Sequence, residues 1–242
     1  DETSQWRQEI RWIEATGRLS GEETRGLGAV VLERRPMAKL PAEAIRTGML
    51  AGLRQRGFRW SDEDQQILGR LRLLQRCLGQ PWPQVSDLAL METVEQWLAP
   101  RLDGINRLEQ IDRLPLAQIF MESLDWTLQK SLSKLAPTHL DVPSGSRVRL
   151  DYSAEEPILA VKLQELFGQT HTPTVVDGKA PVLLHLLSPA RRPVQVTRDL
   201  AGFWKGSYFE VRKDLKGRYP RHPWPDDPLN APASARAKKK GT

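Results

Sequence analysis

The chain has 242 residues, enough to bury a sizeable hydrophobic core, with 36 Lys and Arg against 30 Asp and Glu. Nine of these cations and only three Asp lie in residues 212–242, which therefore hold the whole net charge of +6; residues 1–211 carry 27 charges of each sign. A uniformly basic surface is thereby excluded. No apolar run approaches the roughly 20 residues that cross a bilayer, and the single cysteine, Cys77, cannot form an internal disulfide. These features predict a cytoplasmic protein without a membrane span, in which Cys77 is a buried core residue.

Residues 1–40 carry the alternating pattern of β-strands. Ile10 and Trp12 precede a turn signal at residues 15–17, and the apolar run 27–32 follows as another strand. This pattern predicts a short β meander. Three strands rarely form an independent unit, so we expect the meander to be the end of a larger β region.

Residues 41–136 follow helical spacing instead. Pro41 is suited to the first position of a helix that ends at Gly57, and an acidic cluster at residues 62–64 begins the next helix. Ser86 is a suitable cap for a third helix. The apolar pattern that opens at Pro115 continues through residue 135. We therefore predict a helical domain of four or five helices.

Residues 137–224 return to mixed signals and predict a small α+β domain. Val148 and Leu150 alternate with charged residues, as in a half-buried strand, and the run 158–163 predicts a strand that passes into a short helix near Gly168. An Asp-Gly turn at residues 177–178 predicts a hairpin between runs 174–176 and 182–187. The fold class expected for the whole chain is α+β.

The last predicted element is a long amphipathic helix that starts after Thr197. Its apolar and aromatic positions run from residue 200 to residue 215. Arg198, Lys205, Arg212 and Lys216 would lie within about 40° of one another on such a helix and form a separate basic stripe. The composition of residues 225–242, which include a lysine cluster at 238–240, predicts a flexible basic tail.

The search for catalytic chemistry is negative. The sequence has no ATP-binding glycine loop, nucleophile elbow or spaced metal ligands, so we predict no catalytic and no metal residues. His185 lies in an apolar strand and is read as a core residue.

Cations interleaved with aromatics near the C-terminus point to nucleic acid, since cations bind phosphates and aromatic rings stack on bases. The predicted nucleic-acid-binding residues are Arg191, Arg192, Arg198, Lys205, Arg212, Lys213, Lys216 and Arg218. Two alternatives remain: the aromatics form core beside a solvated basic face, or residues 219–224 dock a protein partner.

Two long stretches resemble the C-terminal signature of bacterial ATP-dependent helicases of the HrpB type, which belong to the DEAH/RHA class. They are LSPARRPVQVTRDLAGFW at residues 187–204 and YFEVRKDLKGRYPRHPWPDDP at residues 208–228. Residues 142–147 and 163–174 also resemble that family.

The resemblance implies that the chain is the downstream part of an RNA helicase, cut after the motor domains that bind ATP and Mg. Residues 1–40 would then end an OB-like region, and the fragment itself would need no cofactor. The expected partners are RNA or another single-stranded nucleic acid, the motor domains of the same parent chain, and an unidentified protein.

Overall fold

The computed structural model describes residues 6–27 and 30–236, and both helices and mixed sheets are present, as the predicted α+β class requires. The chain divides into two compact units, Asp1–Ile67 with Gln84–Asp125 and Leu68–Pro83 with Trp126–Thr242. This division differs from the predicted boundaries at residues 40 and 136. Residues 1–40 share a unit with the helical residues that follow them, and one helix, Asp62–Leu78, contributes its first turns to the first unit and the remainder to the second.

The first unit begins with a three-stranded antiparallel sheet in the order β1 (Trp6–Ile13), β2 (Arg18–Leu27) and β3 (Val30–Pro36). Gly17 closes the first turn with φ of 61°, a conformation in which glycine avoids a Cβ clash. The meander is thus confirmed. The predicted strand at residues 27–32 is wrong as a single element, because β2 ends at Leu27 and β3 begins at Val30.

Helices complete the first unit. They are α1 (Ala42–Arg56), the start of α2 (Asp62–Leu78), α3 (Asp87–Glu92), α4 (Val94–Trp97), α5 (Leu108–Ile111) and α6 (Leu116–Glu122). The predicted caps are confirmed, since Gly57 follows α1 and the Ser86 hydroxyl accepts the Ala89 amide at 3.2 Å. The Asp64 carboxylate accepts the Ala117 amide at 2.9 Å, which joins the start of α2 to α6.

The second unit contains the rest of α2, then α7 (Trp126–Leu135) and ten further short elements. Its strands are β4 (His139–Asp141), β5 (Arg147–Asp151), β6 (Ile158–Lys162), β7 (Thr174–Val175), β8 (Ala180–Pro181), β9 (Leu183–Leu187) and β10 (Pro193–Thr197). Five strands form one sheet in the order β10-β9-β6-β5-β4, and only β6 and β9 run parallel. One side of this sheet is buried; its apolar side chains include Leu150, Leu159, Leu184 and Leu186.

The apolar periodicity of the sequence did not locate the ends of several helices and strands correctly. The apolar pattern of residues 116–135 is divided between α6 and α7, since the Ser123 hydroxyl donates to the Phe120 carbonyl and ends the first helix. The hairpin at residues 177–178 is confirmed, but its second strand is β8, and the run 182–187 pairs with β6 and β10 instead. Cys77 and His185, which were predicted as core residues, are both half-buried.

The predicted long C-terminal helix is also wrong as a single element. It consists of α8 (Leu200–Lys205) and α9 (Tyr208–Arg218), separated at Gly206, whose φ of −123° and ψ of −98° are not helical. The first helix is capped by Asp199, which accepts the Gly202 amide at 2.8 Å, and not by Thr197. Glycine has a low helix propensity, so the chain changes direction there at little cost.

Residues 225–236, part of the predicted flexible tail, are hydrogen-bonded to earlier residues of the second unit. The Gly168 amide donates to the Pro228 carbonyl at 2.9 Å, the Ser234 amide to the Gln164 carbonyl at 3.1 Å, and the Lys162 ammonium to the Ala235 carbonyl at 3.2 Å. The lysine cluster at residues 238–240 lies outside the described residues.

Candidate nucleic-acid interface

Three of the eight predicted nucleic-acid-binding cations are engaged by carboxylates of their own unit. Arg198 pairs with Glu156, with Nε 2.7 Å from Oε1, and Arg218 pairs with Asp214 at 3.3 Å. Arg212 is half-buried, donates from Nε to the Trp224 carbonyl at 2.8 Å and contacts Asp226 at 2.5 Å.

The basic stripe that was predicted on one continuous helix is therefore not formed. Arg198 precedes α8, outside the helix, and Arg212 is turned toward residues 224–226. The hydrogen bond from Arg198 lowers the pKa of the half-buried Glu156 carboxyl, so both partners stay charged at neutral pH. Arg198 and Arg212 thus serve the fold in this structure.

The other five predicted cations are exposed, and within residues 6–27 and 30–236 no carboxylate forms an ion pair with them. Arg191 and Arg192 lie in the turn between β9 and β10, and Lys205 is the last residue of α8. Lys213 and Lys216 lie on α9. These are the predicted side chains that can meet an anionic ligand without first breaking an ion pair.

The aromatic residues of the region divide sharply by exposure. Phe203, Trp204, Tyr208 and Trp224 are buried. The first three pack on one another, and Trp204 and Tyr208 also pack on Phe167, with ring-centroid distances of 5.1–6.3 Å. Burial raises the pKa of Tyr208 to about 12, and its hydroxyl donates to the Pro225 carbonyl at 2.7 Å. The core interpretation of these aromatics is correct.

Phe209 is the exception, because 48% of its surface is exposed. It lies four residues before Lys213 and seven before Lys216 on α9, so the three side chains fall within about 60° around the helix. We call this set, Phe209 with Lys213 and Lys216, the α9 patch. The Phe209 ring contacts Tyr208 in an edge arrangement with centroids 5.6 Å apart, and it lies on the same face of the helix as the two lysines. Exposed aromatic rings next to cations bind single-stranded nucleic acids by stacking on the bases.

A second group of cations lies on the other, open side of the five-stranded sheet. A cavity of about 220 Å³ there is lined by Arg147, Arg149, Lys162 and Arg191, with Glu165 and neighbouring strand residues. Sequence reasoning identified only Arg191 of these. The alternation of Arg147 and Arg149 with apolar residues was the available signal, since it places both guanidinium groups on one face.

Over the described part of the chain, His, Cys, Asp and Glu side chains form no group that could hold a metal ion. The same residues include no helix of the length and hydrophobicity needed to cross a bilayer.

Comparison with known proteins places this geometry in context. Residues 97–228 match the family model described as ATP-dependent helicase C-terminal. The chain is 40% identical over 237 residues to the ATP-dependent RNA helicase HrpB of Escherichia coli K12, covering 95% of this chain and 29% of that protein.

Two solved structures of E. coli proteins are also similar. A DExH-box NTPase HrpB matches with a TM-score of 0.79 and 39% identity, covering 96% of this chain and 30% of that one. A DEAH/RHA helicase HrpB matches with a TM-score of 0.68 and 36% identity, covering 93% and 29%. The chain therefore spans about 30% of the length of the relatives it matches.

Proposed function

Because the chain belongs to the family of HrpB-type ATP-dependent helicase C-terminal regions, we propose that it is a non-catalytic accessory region that contacts single-stranded RNA for a helicase motor. The motor would lie on the same parent polypeptide, bind ATP and Mg and act in the cytoplasm. The α9 patch is the observation that carries this proposal.

Two properties of the α9 patch support an RNA contact. Lys213 and Lys216 would each bring a positive charge to a phosphate, and the release of counterions would make the binding sensitive to salt. Phe209 exposes a large apolar ring to water, which costs free energy unless a ligand covers it, and base stacking on an aromatic ring contributes about 1–3 kcal/mol. Every base has a flat face, so this contact would tolerate any sequence.

A second candidate function is the docking of a protein. The stretch of residues 219–224 is a poor docking surface, because Trp224 is 7% exposed and its indole donates to the Tyr219 carbonyl within the same unit. A better surface is the edge strand β3, where Val30, Val31 and Leu32 are 63%, 53% and 59% exposed. Exposed apolar residues on an unpaired strand edge favour pairing with another chain.

Fluorescence anisotropy of a labelled single-stranded RNA of about 12 nucleotides, titrated with the 242-residue chain at several KCl concentrations, tests the proposal. The double variant K213E/K216E should bind at least about tenfold more weakly and flatten the plot of log K against log salt by about 1.4, since each lost phosphate contact removes about 0.7. Phe209→Ala should weaken binding without changing that slope.

The matched control is K130E/K134E, which reverses two exposed lysines with the same change in net charge on α7. It should retain nearly wild-type affinity, apart from a small general electrostatic loss. Equal losses in the two double variants would show that only net charge matters and would refute the α9 patch. An absence of RNA binding at low salt would refute the RNA proposal itself.

A further inference from the structure

The open side of the five-stranded sheet brings together cations that are far apart in the sequence. In β5, Arg147 and Arg149 are exposed whereas Leu150 is buried, so the two arginines project away from the hydrophobic core. Lys162 ends β6, the neighbouring strand, and Arg191 lies in the turn after β9, the strand beyond. The four side chains line one cavity, which we call the sheet pocket.

Positive charge dominates the sheet pocket. Glu165 is the one carboxylate among its lining residues, and it is 7% exposed and accepts the Ser144 hydroxyl at 2.9 Å. Asp141 lies opposite Arg147 in the register of β4 with β5 and is exposed to water. Arg149 has an interaction partner of its own and is not counted. Arg147, Lys162 and Arg191 outnumber the one hydrogen-bonded carboxylate among the lining residues, and this excess attracts an anion.

The fold already fixes the ammonium group of one of these residues and the backbone of another. Lys162 uses one of its three ammonium donors on the Ala235 carbonyl at 3.2 Å. Arg191 has φ of 61°, a conformation that residues with a Cβ rarely adopt, and its amide donates to the Ser188 carbonyl at 2.8 Å. Strained backbone of this kind is concentrated at ligand-binding positions.

We propose that the sheet pocket binds the phosphodiester backbone of single-stranded RNA and forms a second contact, separate from the α9 patch. This inference rests on the proposed function for its ligand class. Guanidinium groups donate two parallel hydrogen bonds to phosphate oxygens, so paired arginines select phosphate over a spherical anion. The cavity volume of about 220 Å³ is well above the roughly 10–15 Å³ that one water molecule needs on this scale, so one phosphate and adjoining sugar atoms have room there.

The double variant Arg147→Gln with Arg191→Gly tests the sheet pocket in the full 242-residue chain. Glycine accepts the backbone conformation of residue 191, so this variant removes two cations without adding strain there. In the RNA titration it should weaken binding at least about tenfold and flatten the salt slope by about 1.4. The single variant Arg147→Lys keeps both charges and should retain most of the wild-type slope, and circular dichroism checks that each variant is folded.

The outcomes separate the two proposals. Wild-type binding by the pocket variant, together with a loss in K213E/K216E, would overturn the sheet pocket and leave the α9 patch. The reverse result would support the sheet pocket and refute the α9 patch. RNA that binds only with a 5′-phosphate, or that inorganic phosphate at about 10 mM displaces fully, would show a terminal or free phosphate site and overturn the backbone contact.

Discussion

Replacing Gly69 by alanine tests how closely the part of α2 that belongs to the second unit packs against Tyr152. A Cβ built on Gly69 would lie 1.8 Å from the carbonyl oxygen of Tyr152 and 2.7 Å from its carbonyl carbon. Real contacts of a Cβ are essentially never shorter than 3.0 Å, so one of the two backbones would have to move by more than about 1 Å. Tyr152 cannot move easily, because it is buried and its hydroxyl donates to the Pro137 carbonyl at 2.6 Å.

Two opposing contributions determine the change in the free energy of unfolding that Gly69→Ala causes. Alanine favours a helix interior over glycine by about 1 kcal/mol. Overpacking a close contact costs about 1–3 kcal/mol, and the upper end applies here because the clash is with backbone atoms. The net expectation for Gly69→Ala is a loss of about 2 kcal/mol in the free energy of unfolding, which lowers Tm by about 4–8 °C for a chain of this size.

Thermal and urea unfolding, followed by circular dichroism, measure this change. The matched control is Gly217→Ala in α9, where nothing lies within 4 Å of the new Cβ. There only the helix preference remains, and stability should rise by about 0.5–1 kcal/mol. If Gly69→Ala were stabilised to the same extent as the control, the close approach of α2 to Tyr152 would be refuted.

Four further substitutions are expected to have distinct effects. Because burial raises the pKa of Tyr208 to about 12, its neutral phenol is favoured in the folded state; stability is complete below the ordinary pKa near 10 and falls as the pH rises to 12. Between these pH values the free energy of unfolding in urea should fall by about 2 kcal/mol less for Tyr208→Phe than for the wild type. Identical pH profiles of the two proteins would contradict this. Asp199→Ala removes the cap on the Gly202 amide and should cost about 1 kcal/mol in the same assay, whereas an unchanged midpoint would argue against the cap. Arg212→Ala should lower stability and leave the salt slope of RNA binding unchanged. Lys213→Ala should reduce the salt slope and leave stability unchanged. A reduced slope in both variants would show that Arg212 also contacts RNA.

Local signals predicted much of the fold correctly. The turn at Gly17, the end of α1 at Gly57 and the Ser86 cap depend on residues within a few positions of one another, so the sequence contains their whole cause. Helix continuity was less predictable. The breaks near Ser123 and Gly206 interrupt patterns whose apolar spacing continues on both sides, and spacing alone does not register a change of chain direction.

The candidate interface was predicted only in part, for a related reason. The sequence identified the basic and aromatic composition around α8 and α9, but could not separate the exposed Phe209 from the buried Tyr208 beside it. Nor did it identify Arg147 and Lys162, because their importance depends on the strand order that places β5 and β6 near Arg191.

By itself the sequence determined the α+β class, the helix ends at Gly57 and Ser86, the turn at Gly17, and kinship with helicase C-terminal regions, since these depend on short-range patterns and long ungapped similarity. Tertiary structure alone decided which cations can meet a ligand. Arg198 is matched by Glu156, 42 residues earlier, and Arg212 by Asp226, whereas Lys213 and Lys216 face water. Charge compensation acts through space, where the interaction falls with distance between atoms and not with separation along the chain.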